Sequence, residues 1–392
     1  MRGRAACAGT FAPQGRVAWV LATMRRRPVA SPTPTQSPAP PQPSPPRRRA
    51  VGARLAVAAV TLLVALGLAE AALAVWTSRA TPALYRLDDR LGWTHAPRVD
   101  RLVAVEGGGT ARFCTDARGL RATPHADARP AGRRRVLFVG DSFTEGSQVA
   151  DDELFSRRLE RELPGVECWN AGVGGYSTVQ VLLALPDQLA AWQPDVVVLT
   201  VYDNDLQDNL MPYFAGLGPR PCAQLDGGVV RVVPQPPAGT FERFLMPAPG
   251  ALWLYEHSAL YRTLHKHLWL PSRANALHAL EGAERAALPL ADQRTAMAQL
   301  LRQLAAAVRA QGAKLVVAAI PTREQAKAGT CELHDWLAAQ CQDVQAPFRS
   351  LLPGLAAAGA DTAYFAIDIH LTATGHAAVA AGLLPTLQEA LQ

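Results

Sequence analysis

The sequence predicts a three-layer α/β/α sandwich built on a five-stranded parallel sheet, preceded by one N-terminal transmembrane helix. Three observations carry this. Short apolar runs alternate with helical patterns after residue 130. Those runs are apolar on both faces, as strands buried in a parallel sheet are. Residues 55–76, LAVAAVTLLVALGLAEAALAVW, are apolar apart from Thr61 and Glu70, and 22 residues suffice to cross a bilayer.

The elements follow in order. VLFVG (136–140) is the first strand. Leu154/Phe155, Leu159 and Leu163 place a helix over 152–163, stopped by Pro164-Gly165. VECWN (166–170) is the second strand, and residues 178–192 form a helix kinked at Pro186. DVVVLTVY (195–202), rich in β-branched residues, is the third strand. Met297, Leu300/Leu301, Leu304 and Val308 give 296–312 an amphipathic helix closed by Gly312. KLVVAAI (314–320) is the fourth strand, TAYFAI (362–367) the fifth, and 375–391 the last helix. Right-handed crossovers favour the doubly wound, flavodoxin-like order 2-1-3-4-5. In such folds ligands bind at the carboxyl ends of the strands. Two regions fall outside the alternation. Residues 82–130 read as a β-like lead-in, with a turn at Gly107–Gly109. Residues 210–290 read as an insertion in the 131–392 domain, either a lid or a peripheral decoration; Trp253, Tyr255, Tyr261 and Trp269 cluster there.

The net charge of +6 is a property of the N-terminus. Residues 1–54 hold ten Arg and no acid, leaving 29 basic against 33 acidic residues beyond. A basic tail of this kind is not a nucleic-acid groove, so nucleic acid is excluded as a partner. Residues 28–46 contain nine Pro, which predicts an extended, disordered cytoplasmic tail over 1–54. Arg47-Arg48-Arg49 before the apolar stretch predicts a cytoplasmic N-terminus and a periplasmic main domain, held in the inner membrane by one helix. Ala72-Leu73-Ala74 leaves open a cleaved signal, and Met24 an alternative start. Cys114, Cys168, Cys222, Cys331 and Cys341 then lie in an oxidising compartment, with Cys7 in the cytoplasm. Cys331 and Cys341 are the candidate disulfide, with buried free thiols as the alternative.

Four polar loops follow the strands: Gly140-Asp141-Ser142, Asn170-Ala171-Gly172-Val173-Gly174-Gly175, Tyr202-Asp203-Asn204-Asp205 and Asp368-Ile369-His370. Together they contain a hydroxyl, a base, an acid and neutral donors, the parts acyl transfer needs. A serine hydroxyl needs a base within hydrogen-bond reach. His370 serves because imidazole titrates near neutrality, and Asp368 can hold its tautomer. The N–H of Ser142, a loop glycine N–H and the Asn204 amide can face an oxyanion. Asp141 reads as a turn organiser, and Asp205 and Asp208 as solvated or structural. His376 reads as the start of the last helix rather than a metal ligand; no metal or organic cofactor is called for.

GDSFTEG, NAGVGGYST, YDND and DIH together resemble the four sequence blocks of the SGNH hydrolases, or GDSL-type esterases. The resemblance spans about 133–210 and 360–392. It implies a catalytic Ser142 with Asp368 and His370, and oxyanion donors from Ser142, Gly175 and Asn204, with Gly172 the other alignment of the glycine. RLGW (90–93) and DARGLR (116–121) also resemble the lead-in of membrane-anchored bacterial members. Three positions depart from the family: Phe143, the Asp–His spacing of two, and Tyr202-Asp203 in place of a glycine. The implied activity is an extracytoplasmic serine esterase acting on O-acyl, foremost O-acetyl, esters of a carbohydrate or small molecule. The alternatives are an O-acetyltransferase working with envelope polysaccharide machinery and a catalytically silent anchored polysaccharide-binding domain.

Overall fold

The computed structural model describes residues 47–80, 84–214, 217–235, 253–254, 257–264 and 288–392. The tail over 1–46, with Cys7, and Tyr255, His265, His267 and Trp269 of the insertion lie outside the described residues. The chain divides into two compact units at Ala59–Val60, inside helix α1 (Arg47–Ala80). Of the first unit, only its share of this helix is described. Val51–Trp76 is long and apolar enough to span a membrane: 26 residues with mean hydropathy 2.2, none of it buried by protein. Arg47–Arg49 belong to the helix rather than to the tail. Glu70, the one acid of the apolar stretch, accepts hydrogen bonds from Ser258 Oγ (2.7 Å) and from the N–H groups of Ala259 (2.6 Å) and Leu260 (3.0 Å) in the insertion.

In the second unit two antiparallel hairpins come first, β1 (Tyr85–Asp88) with β2 (Gly92–His95) and β3 (Asp100–Ala104) with β4 (Thr110–Cys114). The main sheet follows: β5 (Arg134–Val139), β6 (Val166–Asn170), β7 (Val196–Val201), β12 (Lys314–Ala319) and β13 (Phe348–Ser350). All its ladders are parallel, and its spatial order is β13-β12-β7-β5-β6, the predicted 2-1-3-4-5. An antiparallel bridge from Arg121 to Asn170 joins the lead-in to the β6 edge.

Alternate residues of the strands feed two cores, because successive side chains point to opposite faces. Leu137, Val139, Val197, Leu199 and Val317 pack on one side with Leu185 of α4 (Thr178–Trp192), Leu304 of α7 (Leu290–Ala310) and Leu337 of α9 (Glu332–Asp343). Val136, Phe138, Val196, Val198 and Val316 pack on the other with Leu159 of α3 (Phe155–Glu162) and Val379 and Leu383 of α12 (Ala373–Ala390). Each such buried side chain is worth about 1.5–3 kcal/mol relative to exposure, which fixes the sheet and with it the strand ends. In the insertion, β8 (Tyr213–Phe214) pairs with β9 (Gly218–Pro219), and β10 (Cys222–Asp226) with β11 (Val229–Val233).

Two expectations are corrected. The fifth strand is Phe348–Ser350, not 362–367. Residues 360–363 form a helical turn, α11, and Tyr364 makes only a bridge to Leu371 while its hydroxyl donates to Pro321 O at 2.6 Å. The apolar run TAYFAI marks packing of Tyr364 under the loop, whereas the true edge strand is three half-buried residues with no pattern to read. Cys331 and Cys341 are unbridged thiols. Cys331 caps α9 and Cys341 lies in its last turns, and ten residues of helix separate them by about 15 Å, far beyond disulfide reach.

Candidate active site

The carboxyl end of β5 turns sharply into the four-residue helix α2 (Ser142–Glu145). Gly140 has φ +154°, and a Cβ there would collide with the hydroxyls of Thr144 and Thr200, so only glycine fits the turn. Asp141 caps α2: its Oδ1 accepts from Phe143 N at 2.9 Å. Gly146 ends it in the left-handed conformation, donating to Ser142 O. Ser142 is thereby held at the start of the helix, half-buried at the sheet edge.

His370 meets it from 228 residues away. Its Nε2 lies 2.8 Å from Ser142 Oγ, and its Nδ1 contacts Asp368 Oδ1. With the proton on Nδ1, the Nε2 lone pair faces the serine hydroxyl, as a general base requires. Asp368 Oδ1 also accepts from His370 N at 3.0 Å, and the hydrogen bond from His370 holds its carboxyl below the ordinary carboxylate range. The Gln148 amide lies 3.0 Å from the same Nδ1. Asp368 and His370 do not follow a strand, as predicted, but sit in the loop between α11 and α12.

The loop after β6 carries the glycines. Gly172 donates its N–H to Asn170 Oδ1 (3.0 Å), and a Cβ on it would strike Thr144. Gly174 donates to Glu145 Oε1 of α2 (2.9 Å) and accepts from Trp93 Nε1 of the lead-in (2.9 Å), so both its backbone groups are held. Glu145 is itself buried with Tyr85 and His95 as donors. Gly175 (φ +72°) and Ser142 keep N–H groups with no hydrogen-bond partner among the described residues.

Asn204 stands beyond β7. Its Nδ2 donates to Asp208 Oδ2 (2.7 Å), and its buried Oδ1 has no partner among the described residues. Asp208 Oδ1 accepts from Arg220 (2.8 Å), and the same fully buried guanidinium donates to Gly175 O and Met211 O, each at 2.9 Å. One cation therefore links the glycine loop to the asparagine. Beneath it lie two buried carboxyls, Asp141 and Asp205; burial pushes both up, Asp205 further raised by Asp141. The rings of Phe143 and Tyr202 stack 3.9 Å apart, and Phe143 lies 5.0 Å from the His370 ring. His376 takes a different part: its Nδ1 accepts from Phe155 N at 3.3 Å, and the ring is buried, stacked on Phe155 and driven down to about 3, chiefly by desolvation, hence neutral.

Gln148, Arg220, Glu145 and Trp93 were not singled out from the sequence for these contacts. Trp93 and Arg220 join through tertiary contact over 81 and 45 positions, which no local pattern encodes.

A serine beside an imidazole at the carboxyl edge of a doubly wound sheet is the arrangement of a serine hydrolase. Residues 138–378, more than half of the chain, match the GDSL-like Lipase/Acylhydrolase family, and the chain belongs to that family. Among solved structures it is similar to TesA (16% identity, covering 66% of this chain and 99% of that one, TM-score 0.38). It is also similar to the acetyl xylan esterase AlAXEase (14%, 64% and 99%, TM-score 0.38) and to the esterase EstA from Pseudoalteromonas sp. (11%, 66% and 98%, TM-score 0.36). No curated protein matches the chain.

Proposed function

We propose that this protein is a membrane-anchored, extracytoplasmic esterase that removes O-acyl groups, acetyl foremost, from a carbohydrate or small ester through an acyl-enzyme on Ser142. The observation that carries the reading is the 2.8 Å approach of His370 Nε2 to Ser142 Oγ, with Asp368 on Nδ1. Ser142 Oγ attacks the ester carbonyl while His370 Nε2 takes its proton. The tetrahedral oxygen is met by the N–H groups of Ser142 and Gly175 and the Asn204 amide, the donors that have a hydrogen to give. His370 returns the proton to the departing alkoxide. Water, activated by the same imidazole, then cleaves the acyl-serine. The Phe143–Tyr202 stack crowds the imidazole side of the site, which favours a short acyl group. Arg47–Arg49 ahead of the apolar span favour a cytoplasmic N-terminus and a periplasmic catalytic domain at the inner membrane.

The test is turnover of a chromogenic acetyl ester with and without added oligosaccharide. Free acetate in both cases, abolished by Ser142→Ala and by His370→Ala, is the expected result. Normal turnover in Ser142→Ala contradicts the mechanism. Acetylated oligosaccharide appearing at the expense of acetate makes the protein a transferase using the same acyl-enzyme with a sugar hydroxyl as its acceptor.

A further inference from the structure

The loop that carries Asp368 and His370 has no strand beneath it. It is pinched by the Tyr364–Leu371 bridge and by Phe365 N donating to His370 O at 3.1 Å, and its Ile367 is 88% exposed. Exposed loops are the mobile parts of a fold, yet displacements near 1 Å already impair a reacting constellation. Arg323 Nη1 holds one carbonyl of it, Ala366 O, at 2.8 Å; its N–H groups are held from the lead-in.

The turn between β3 and β4 brings Glu106 against it. The carboxylate accepts from three consecutive backbone N–H groups: Ala366 (2.9 Å), Ile367 (2.9 Å) and Asp368 (2.7 Å). The first two go to different oxygens, and the oxygen facing Ile367 also takes Asp368, so the backbone is gripped at both ends of the carboxylate. Successive N–H groups converging on one anion make a nest. These bonds, that from Asp368 N foremost, hold Glu106 below the ordinary carboxylate range, so it stays charged at neutral pH. The turn is itself ordered. Val105 N donates to Gly109 O at 2.9 Å, and Gly107 and Gly108 supply φ of +87° and +85°. Five residue pairs of β3 and β4 stand behind it.

We propose that Glu106 is a positioning residue for catalysis: its carboxylate fixes the Ala366–Asp368 backbone, so that Asp368 stays on His370 Nδ1 and His370 on Ser142. The inference rests on the Ser142–His370–Asp368 reading above. It gives the turn between β3 and β4, through Glu106 alone, a part in the working site, 260 positions upstream of the loop it holds.

The test compares full-length, detergent-solubilised wild type with Glu106→Gln, Glu106→Asp and Arg112→Ala on a chromogenic acetyl ester. Glutamine keeps the shape but offers one accepting oxygen and an NH2 to three donors. The expected result for Glu106→Gln is a loss of about tenfold or more in kcat, with KM changed less than about twofold. Amide hydrogen exchange over 365–370 speeds up in the same variant. Glu106→Asp, which keeps the charge, restores part of kcat, and it carries the test by itself if the glutamine variant does not fold. Arg112→Ala breaks an exposed ion pair with Asp100 on the same hairpin and leaves kcat unchanged. A Glu106→Gln kcat within about twofold of wild type, or an equal loss in Arg112→Ala, overturns the proposal. Wild type is labelled in parallel with a fluorophosphonate. Label on Ser142 without an effect of Glu106→Gln sinks only the role of Glu106, whereas wild type that takes no label sinks the triad reading itself.

Discussion

Arg220→Lys tests whether the insertion holds the oxyanion donors in place. The fully buried guanidinium makes three hydrogen bonds, to Met211 O (2.9 Å), Gly175 O (2.9 Å) and Asp208 Oδ1 (2.8 Å). Lysine keeps the charge but is a single compact donor group, and it cannot reproduce the fork. Its ammonium goes to the carboxylate, leaving the two carbonyls without a partner. At about 1.5–3 kcal/mol for each bond to a charged group, the loss of two costs roughly 3–6 kcal/mol of stability. That is a large part of what a domain has. The catalytic cost follows from geometry. With Gly175 O released, the Gly175 N–H drifts from its aim, and one oxyanion donor is worth about 100-fold in kcat. Denaturant unfolding measures the first quantity, and kcat on a chromogenic acetyl ester, taken where the variant is folded, measures the second. A variant that loses several kcal/mol of stability yet keeps wild-type kcat would refute the coupling and leave Arg220 a purely structural residue.

Other outcomes are as definite. His376 has an ordinary pKa of 6.5 and is lowered to about 3 in the fold. The unfolded chain therefore binds the extra proton between those values. Its contribution to stability is complete above about pH 6.5 and declines as pH falls toward 3, by up to about 1.4 kcal/mol per pH unit. His376→Gln should flatten that acid slope in pH-dependent melting; an unchanged slope contradicts the burial of a neutral imidazole. Since Cys331 and Cys341 are unbridged, a reductant should leave the melting temperature unchanged, and intact mass after alkylation should show both thiols modified once the chain is unfolded.

The main strands were legible because their signal is local. Val136–Val139, Val196–Leu199 and Leu315–Ala319 are buried on both faces and therefore read as unbroken apolar runs. The edge strand Phe348–Ser350 was not, since three half-buried residues at the rim carry no periodicity. The four polar loops were legible as chemistry-bearing residues at strand ends. The placing of Asp368 and His370 was not, because the loop returns to the site through two helices rather than from a strand. Least legible were the supports. Glu106 acts across 260 positions, Trp93 across 81 and Arg220 across 45, and each is an ordinary residue until the fold supplies its partner. Cys331 and Cys341 show the converse: close in sequence, they are kept apart by the rise of the helix between them.

The central claim is that Ser142 is the nucleophile and His370 its base. Reaction of the full-length protein with a fluorophosphonate, followed by mass mapping of the modified peptide, tests it most directly. The phosphonyl group is expected on Ser142 in wild type, absent in Ser142→Ala and strongly slowed in His370→Ala. Wild type that takes no label under conditions that modify a control serine esterase, or a label that persists in Ser142→Ala, would contradict it.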